Sequence, residues 1–126
     1  MSPLSSPPEP SSCAHILDSM ERQARAGKLA SEAERIAALL VERGATLVVV
    51  FGSVARGDVG IASDLDMIAV MQSELPFIKR LEELYGALHP TVGLDLLVYT
   101  PEEFEYMRER GFIRHALAEG RVLHAA

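Results

Sequence analysis

Thr46-Leu47-Val48-Val49-Val50-Phe51-Gly52-Ser53 is an unbroken apolar, β-branched run that ends in Gly-Ser. A half-exposed strand alternates polar and apolar residues, so a continuous run this short predicts a central strand covered on both faces. The chain reads outward from that strand. Downstream, Asp64–Met71 (DLDMIAVM) alternates at first and then turns uniformly apolar, which predicts a second strand. Val92–Tyr99 (VGLDLLVY) predicts a third. Between them, Leu75, Ile78, Leu81, Leu84, Tyr85 and Leu88 fall on one side of a helix over Glu74–Leu88, which His89-Pro90 closes. Thr100-Pro101-Glu102-Glu103 supplies an N-cap, a proline at N1 and a glutamate at N3, so a helix follows near residues 101–109. Phe112–Glu119 predicts another short helix, Gly120 its end, and Val122-Leu123 a small edge strand.

Upstream, Leu29, Ala33, Ile36, Ala37, Leu40 and Val41 recur at helical spacing. Ser31 and Glu34 have capping-box spacing and Gly44 suits the position just past a helix end, so the prediction is a helix from about residue 31 to 43. His15–Ala26 predicts a separate polar helix that Gly27 ends. Residues 1–12, MSPLSSPPEPSS, read as a disordered or weakly docked tail. The expected organisation is an N-terminal extension over residues 1–27 and a single domain over 28–126, in the α/β (α+β) class. Assembly contacts are the one role in view for the extension, and a homo-oligomer stays open.

A chain of 126 residues suits one hydrophobic core. Twelve Lys and Arg against 18 Asp and Glu give a net charge of −6, which argues against non-specific nucleic-acid binding. Nucleotides stay possible, because a bound metal ion reverses the local field. Cys13 is the single cysteine, so an internal disulfide and every Cys-based zinc spacing are excluded. Ile36–Val41 and Leu47–Phe51 are far shorter than the roughly 20 residues of a membrane span. No charged and apolar leader pattern opens the sequence, and a cytoplasmic location is expected.

Three acidic residues carry the chemistry. Asp64 and Asp66 are two apart on a predicted strand, which puts both carboxylates on one face. Neighbouring carboxylates repel unless a positive partner sits between them. A divalent cation is the economical partner, and oxygen ligands suit Mg²⁺ or Mn²⁺; a solvated pair is the alternative. Asp95 interrupts an apolar strand and shares its face with Leu97 and Tyr99, opposite Leu94, Leu96 and Val98. If the two strands are neighbours, three carboxylates could hold two ions about 4 Å apart. Gly52-Ser53, at a strand end before a short helix, suits close approach of a phosphate. There is no GxxxxGK[ST] and no GxGxxG. His15, His89, His115 and His124 have no ligand spacing. Phe104, Tyr106, Met107, Phe112 and Leu117 read as C-terminal packing, and Tyr99 as core or rim packing.

Taken together, Gly52-Ser53, Ala55-Arg56-Gly57, Ser63-Asp64, Asp66 and Asp95 resemble the nucleotidyltransferase superfamily that includes DNA polymerase beta. The pattern is most similar to the minimal nucleotidyltransferases, the antitoxins of HEPN pairs, and covers about residues 30–100. The resemblance implies a short mixed β-sheet with helices packed on it. It implies that Asp64 and Asp66 bind the metals that carry a triphosphate. Asp95 then binds the metal at the incoming nucleophile and helps to deprotonate it. Gly52 and Ser53 position the β- and γ-phosphates, and Arg56 contacts a phosphate or the acceptor. The implied reaction is attack of a hydroxyl on the α-phosphate of a nucleoside triphosphate, with ATP as substrate, Mg²⁺ (or Mn²⁺) as cofactor and pyrophosphate leaving. The chain has no length for a second, acceptor-gripping domain. Either the acceptor is a protein that brings its own surface or a partner completes the site; the resemblance implies a HEPN toxin as acceptor, and the other reading is an antitoxin that neutralises such a partner by binding alone.

Overall fold

The computed structural model of the chain describes residues 10–126, with side chains from residue 15 onward. Strand β1 (Leu47–Phe51) is buried over all but its first residue, as its composition requires. A single helix, α1 (Pro10–Glu42), precedes it. The sequence predicts two helices here, with a stop at Gly27 and a cap at Ser31; the structure has one. A lone glycine costs a helix only about 1 kcal/mol. Burial of Leu29, Ala33, Ile36 and Leu40 against the sheet outweighs that cost. Ser31 and Glu34 therefore lie inside the helix, where no free amides are left to cap. The tail expected over residues 1–12 lies outside the described residues up to residue 9, and residues 10–12 already belong to α1. At the other end Gly44 takes φ 102. Its amide donates to the Val41 carbonyl (3.0 Å) and the Ala45 amide to that of Leu40 (2.9 Å), the paired bonds of a Schellman motif.

After β1 come the short helix α2 (Gly52–Arg56), strand β2 (Leu65–Val70), helix α3 (Phe77–Leu88) and strand β3 (Leu94–Tyr99). Helices α4 (Pro101–Met107) and α5 (Gly111–Glu119) and strand β4 (Arg121–Ala125) complete the chain. The predicted capping box of α4 is formed, with Thr100 and Glu103 each accepting from the other's backbone amide. The sheet order is β3-β2-β1-β4. β1 runs antiparallel to both β2 and β4, whereas β2 and β3 are parallel and joined through α3. The sheet is thus mixed.

One sheet face packs Val48, Val50, Met67, Ala69, Leu96 and Val98 against α1 and α3. The other packs Phe51, Ile68, Val70 and Tyr99 against Phe104 of α4 and Ile113 and Ala116 of α5. Three expectations need correction. Ile78 is 62% exposed, and Arg80 is buried in its stead. Arg80 donates to the carbonyls of Val98 (2.8 Å) and Leu75 (2.8 Å) and to Glu103 (2.7 Å), so α3 is tied to β3 and α4. Leu75 lies before α3, which starts at Phe77, and so falls outside its period. Tyr106 and Phe112, read as packing residues, are largely exposed. Phe112 lies edge-on to Phe51 with ring centroids 5.8 Å apart. Among the described residues no helix is long and apolar enough to cross a membrane.

Candidate functional site

The candidate residues gather where β1 ends and β2 and β3 begin. β1 is antiparallel to β2, so its last residue, Phe51, pairs with Asp66, the second residue of β2. β3 is parallel to β2 in a register that sets Asp95 directly beside Asp66. Both carboxylates leave the sheet on the same face, ahead of Ile68 and Leu97 in their strands. The alternation read from the sequence thus brings Asp66 and Asp95 together.

Gly52, the residue after Phe51, makes room for them. It has φ 70, and a Cβ built on it would run into the Asp66 carboxylate, 3.2 Å from its Cγ. No side chain other than hydrogen fits there while Asp66 keeps its place. Ser53 follows in the first turn of α2, and its carbonyl accepts from the amides of Gly57 (2.9 Å) and Asp58 (3.1 Å). Burial, then the charge and hydrogen bond of Asp95, then Asp64, push the Asp66 carboxyl up to about 6; the Arg56 guanidinium opposes them.

Asp64 sits to one side. It lies one residue before β2, where the Leu65 amide donates to the Gly93 carbonyl (2.9 Å). Its carboxylate rests against Gly93, where a Cβ would lie 2.6 Å from its Cγ. Arg25 of α1 approaches Asp64 Oδ1 to 3.9 Å and donates to the Ser63 carbonyl from Nε (3.2 Å) and Nη2 (3.0 Å). Among the described residues no three His, Cys, Asp or Glu side chains converge on a common point. Arg56 turns to Asp58 and Glu119, each at 3.1 Å, and is exposed.

Three positioning residues have no signature in the sequence pattern. Tyr85 of α3 donates its hydroxyl to the Leu94 carbonyl (2.6 Å) and accepts from the Leu96 amide (3.1 Å), bracketing Asp95. Glu32 of α1 is buried and accepts from the amide (2.6 Å) and hydroxyl (2.7 Å) of Thr91, which fixes the loop into β3. Gly93 clears the seat of Asp64. Only Gly93, inside the predicted third strand and two residues before Asp95, lay close enough to a site residue to be suspected.

The donor set suits a hard divalent cation. It is all carboxylate oxygen, two groups are adjacent with one held toward its protonated form by burial and then by its neighbour's charge, and a glycine cradles one of them. An ion there would relieve the repulsion.

The nucleotidyltransferase domain family matches residues 33–92. No curated protein matches the chain. A Sulfolobus solfataricus protein assigned as a nucleotidyltransferase superposes with a TM-score of 0.51 at 26% identity, covering 71% of this chain and 79% of that one. A toxin–antitoxin structure with AMP-PNP gives a TM-score of 0.51 at 23% identity, over 75% of this chain and 73% of that one, a likeness of fold.

Proposed function

We infer that this chain is a nucleotidyltransferase of the DNA polymerase beta-like superfamily, a reading that the family match over residues 33–92 supports, and that it transfers AMP from ATP to a hydroxyl of a partner protein, a HEPN toxin. The observation that carries this reading is the pairing of Asp66 with Asp95 beside the bare Cα of Gly52. Asp66, Asp95 and Asp64 would hold Mg²⁺ or Mn²⁺, and the ion would neutralise charge on the triphosphate as the α-phosphorus is attacked. Gly52 and Ser53 offer a close approach for the β- and γ-phosphates. The acceptor oxygen forms a bond to the α-phosphorus, the bond to pyrophosphate breaks, and Asp95, the more exposed of the paired acids, receives the hydroxyl proton. Tyr85 keeps the Asp95 backbone in place for that transfer. Arg56, already near enough to stabilise the Asp66 anion, contacts a phosphate or the acceptor after leaving Asp58 and Glu119. The fold supports a toxin as partner, because a neighbour of the same fold is a toxin–antitoxin structure with AMP-PNP.

A second reading is an antitoxin that neutralises its partner by binding alone. The approach of the Arg25 guanidinium to Asp64, a cation of the chain itself at one of the three acids, favours it. One experiment separates the two. Purified chain, partner, Mg²⁺ and ATP labelled in its α-phosphate are mixed, and label on the partner is counted. Transfer that disappears in Asp66→Asn and Asp95→Asn supports catalysis. Full neutralisation of the partner by those variants, with no label transferred by the wild type, rejects it in favour of binding alone.

A further inference from the structure

Arg25 belongs to the part of α1 that precedes Leu29, the first core residue of that helix among the described side chains. Its side chain is three-quarters buried, and its guanidinium gives two hydrogen bonds to one acceptor, the carbonyl of Ser63. That carbonyl belongs to the residue directly before Asp64, and the same guanidinium lies 3.9 Å from the Asp64 carboxylate. A rigid planar fork thus holds the backbone and the charge of the Asp64 segment together. Gly93 leaves the hollow that the carboxylate enters. Asp64 thus meets both a cation of α1 and the loop before β3, while Asp66 and Asp95 pair with each other.

We propose that Arg25 is a positioning residue that keeps Asp64 seated apart from the Asp66–Asp95 pair, so that α1 sets the affinity of the acidic site for a divalent cation. The proposal rests on the reading of these three aspartates as cation ligands. The guanidinium and the cation compete for the same carboxylate, and because Asp64 is exposed the competition is moderate and weakened by salt. The N-terminal part of the chain is on this view a working part of the site and not only a surface for assembly.

The test is Mn²⁺ binding to the full chain without nucleotide, followed by the loss of the free-ion electron paramagnetic signal. Wild type, Arg25→Gln, Arg25→Lys and Asp66→Asn are compared at low and high salt, with an unfolding midpoint for each. Arg25→Gln keeps an N–H for the Ser63 carbonyl and loses the charge; Arg25→Lys keeps the charge. Arg25→Gln is expected to bind Mn²⁺ about threefold more tightly at low salt, with the gain shrinking at high salt. Arg25→Lys is expected to stay near the wild type. Equal or weaker binding by Arg25→Gln, with binding still abolished in Asp66→Asn, overturns the role of Arg25 and leaves the ligand reading intact. A lowered midpoint in both Arg25 variants with no gain in affinity does the same, since it marks a purely structural contact. Failure of the wild type to bind Mn²⁺ in an Asp66-dependent way removes the ligand reading and the proposal with it.

Discussion

Gly52→Ala adds a single methyl group and tests whether the glycine exists to seat Asp66. Gly57→Ala is the matched control. Gly57 has φ 77 and Gly52 φ 70, so both substitutions force alanine into the left-handed region. That costs about 1–2 kcal/mol at each position. The surroundings differ. Nothing lies within 4 Å of a Cβ at Gly57, while at Gly52 it meets the Asp66 carboxylate, 3.2 Å from Cγ and 3.5 Å from Asp66 Cβ. Relief requires Asp66 to leave its rotamer or to press on Asp95, an overpacking cost of about 1–3 kcal/mol. Gly52→Ala is therefore expected to lose about 2–5 kcal/mol and Gly57→Ala about 1–2. Urea unfolding followed by circular dichroism measures both, with a Mn²⁺ titration alongside. Equal losses in the two variants, together with undiminished Mn²⁺ binding by Gly52→Ala, would refute the idea of a cleared seat.

Other expectations follow from the same contacts. Gly27→Ala fills open space on an exposed helical turn and should raise stability by about 0.5–1 kcal/mol in thermal unfolding; a loss would mean that residue 27 is not helical in solution. Asp66 binds its proton more tightly folded, with a pKa of about 6 against an ordinary 3.8, so its contribution falls as pH rises between these values. Asp66→Asn should therefore be more stable than the wild type at pH 7, by about 1–2 kcal/mol after solvent screening, with the difference vanishing at low pH. Equal pH profiles would contradict the paired-acid geometry. The Arg35 hydrogen bond, aided by Thr91 against the penalty of burial, lowers Glu32 from 4.5 to about 2. Its contribution is present above the ordinary carboxylate range and is lost as pH falls through about 2. Glu32→Ala should cost about 2–4 kcal/mol at pH 7, and a neutral result would show that Thr91 is held some other way.

The sheet was legible because its signals are local. Five apolar residues over Leu47–Phe51 specify a buried strand, and the alternation around Asp95 assigns faces whatever the tertiary partner. The pairing of Asp66 with Asp95 needed one further fact, the adjacency of β2 and β3, which the α3 connection supplies. Misreadings arose where long-range contacts overrode local preference. Gly27 and Ser31 carry stop and start signals that the docking of Leu29 and Ala33 overrules. Arg80 takes a core-facing position because Glu103 and the Val98 carbonyl, remote in sequence, and the nearby Leu75 carbonyl accept from its two terminal nitrogens. Arg25 could not be singled out, since its partners Ser63 and Asp64 lie nearly forty residues away with no periodic relation to it. Gly93 shows its purpose only when the Asp64 carboxylate is seen lying where its side chain would be.

The most direct measurement is calorimetric titration of ATP into the chain with and without Mg²⁺, repeated for Asp66→Asn and Asp95→Asn. Binding is expected only with Mg²⁺, weakened at least about tenfold in each variant, the loss of about 1.4 kcal/mol or more expected when one carboxylate leaves a shared ion site. ATP binding that is the same without a divalent ion, or is untouched in both variants, would contradict the claim that these paired carboxylates form the nucleotide site.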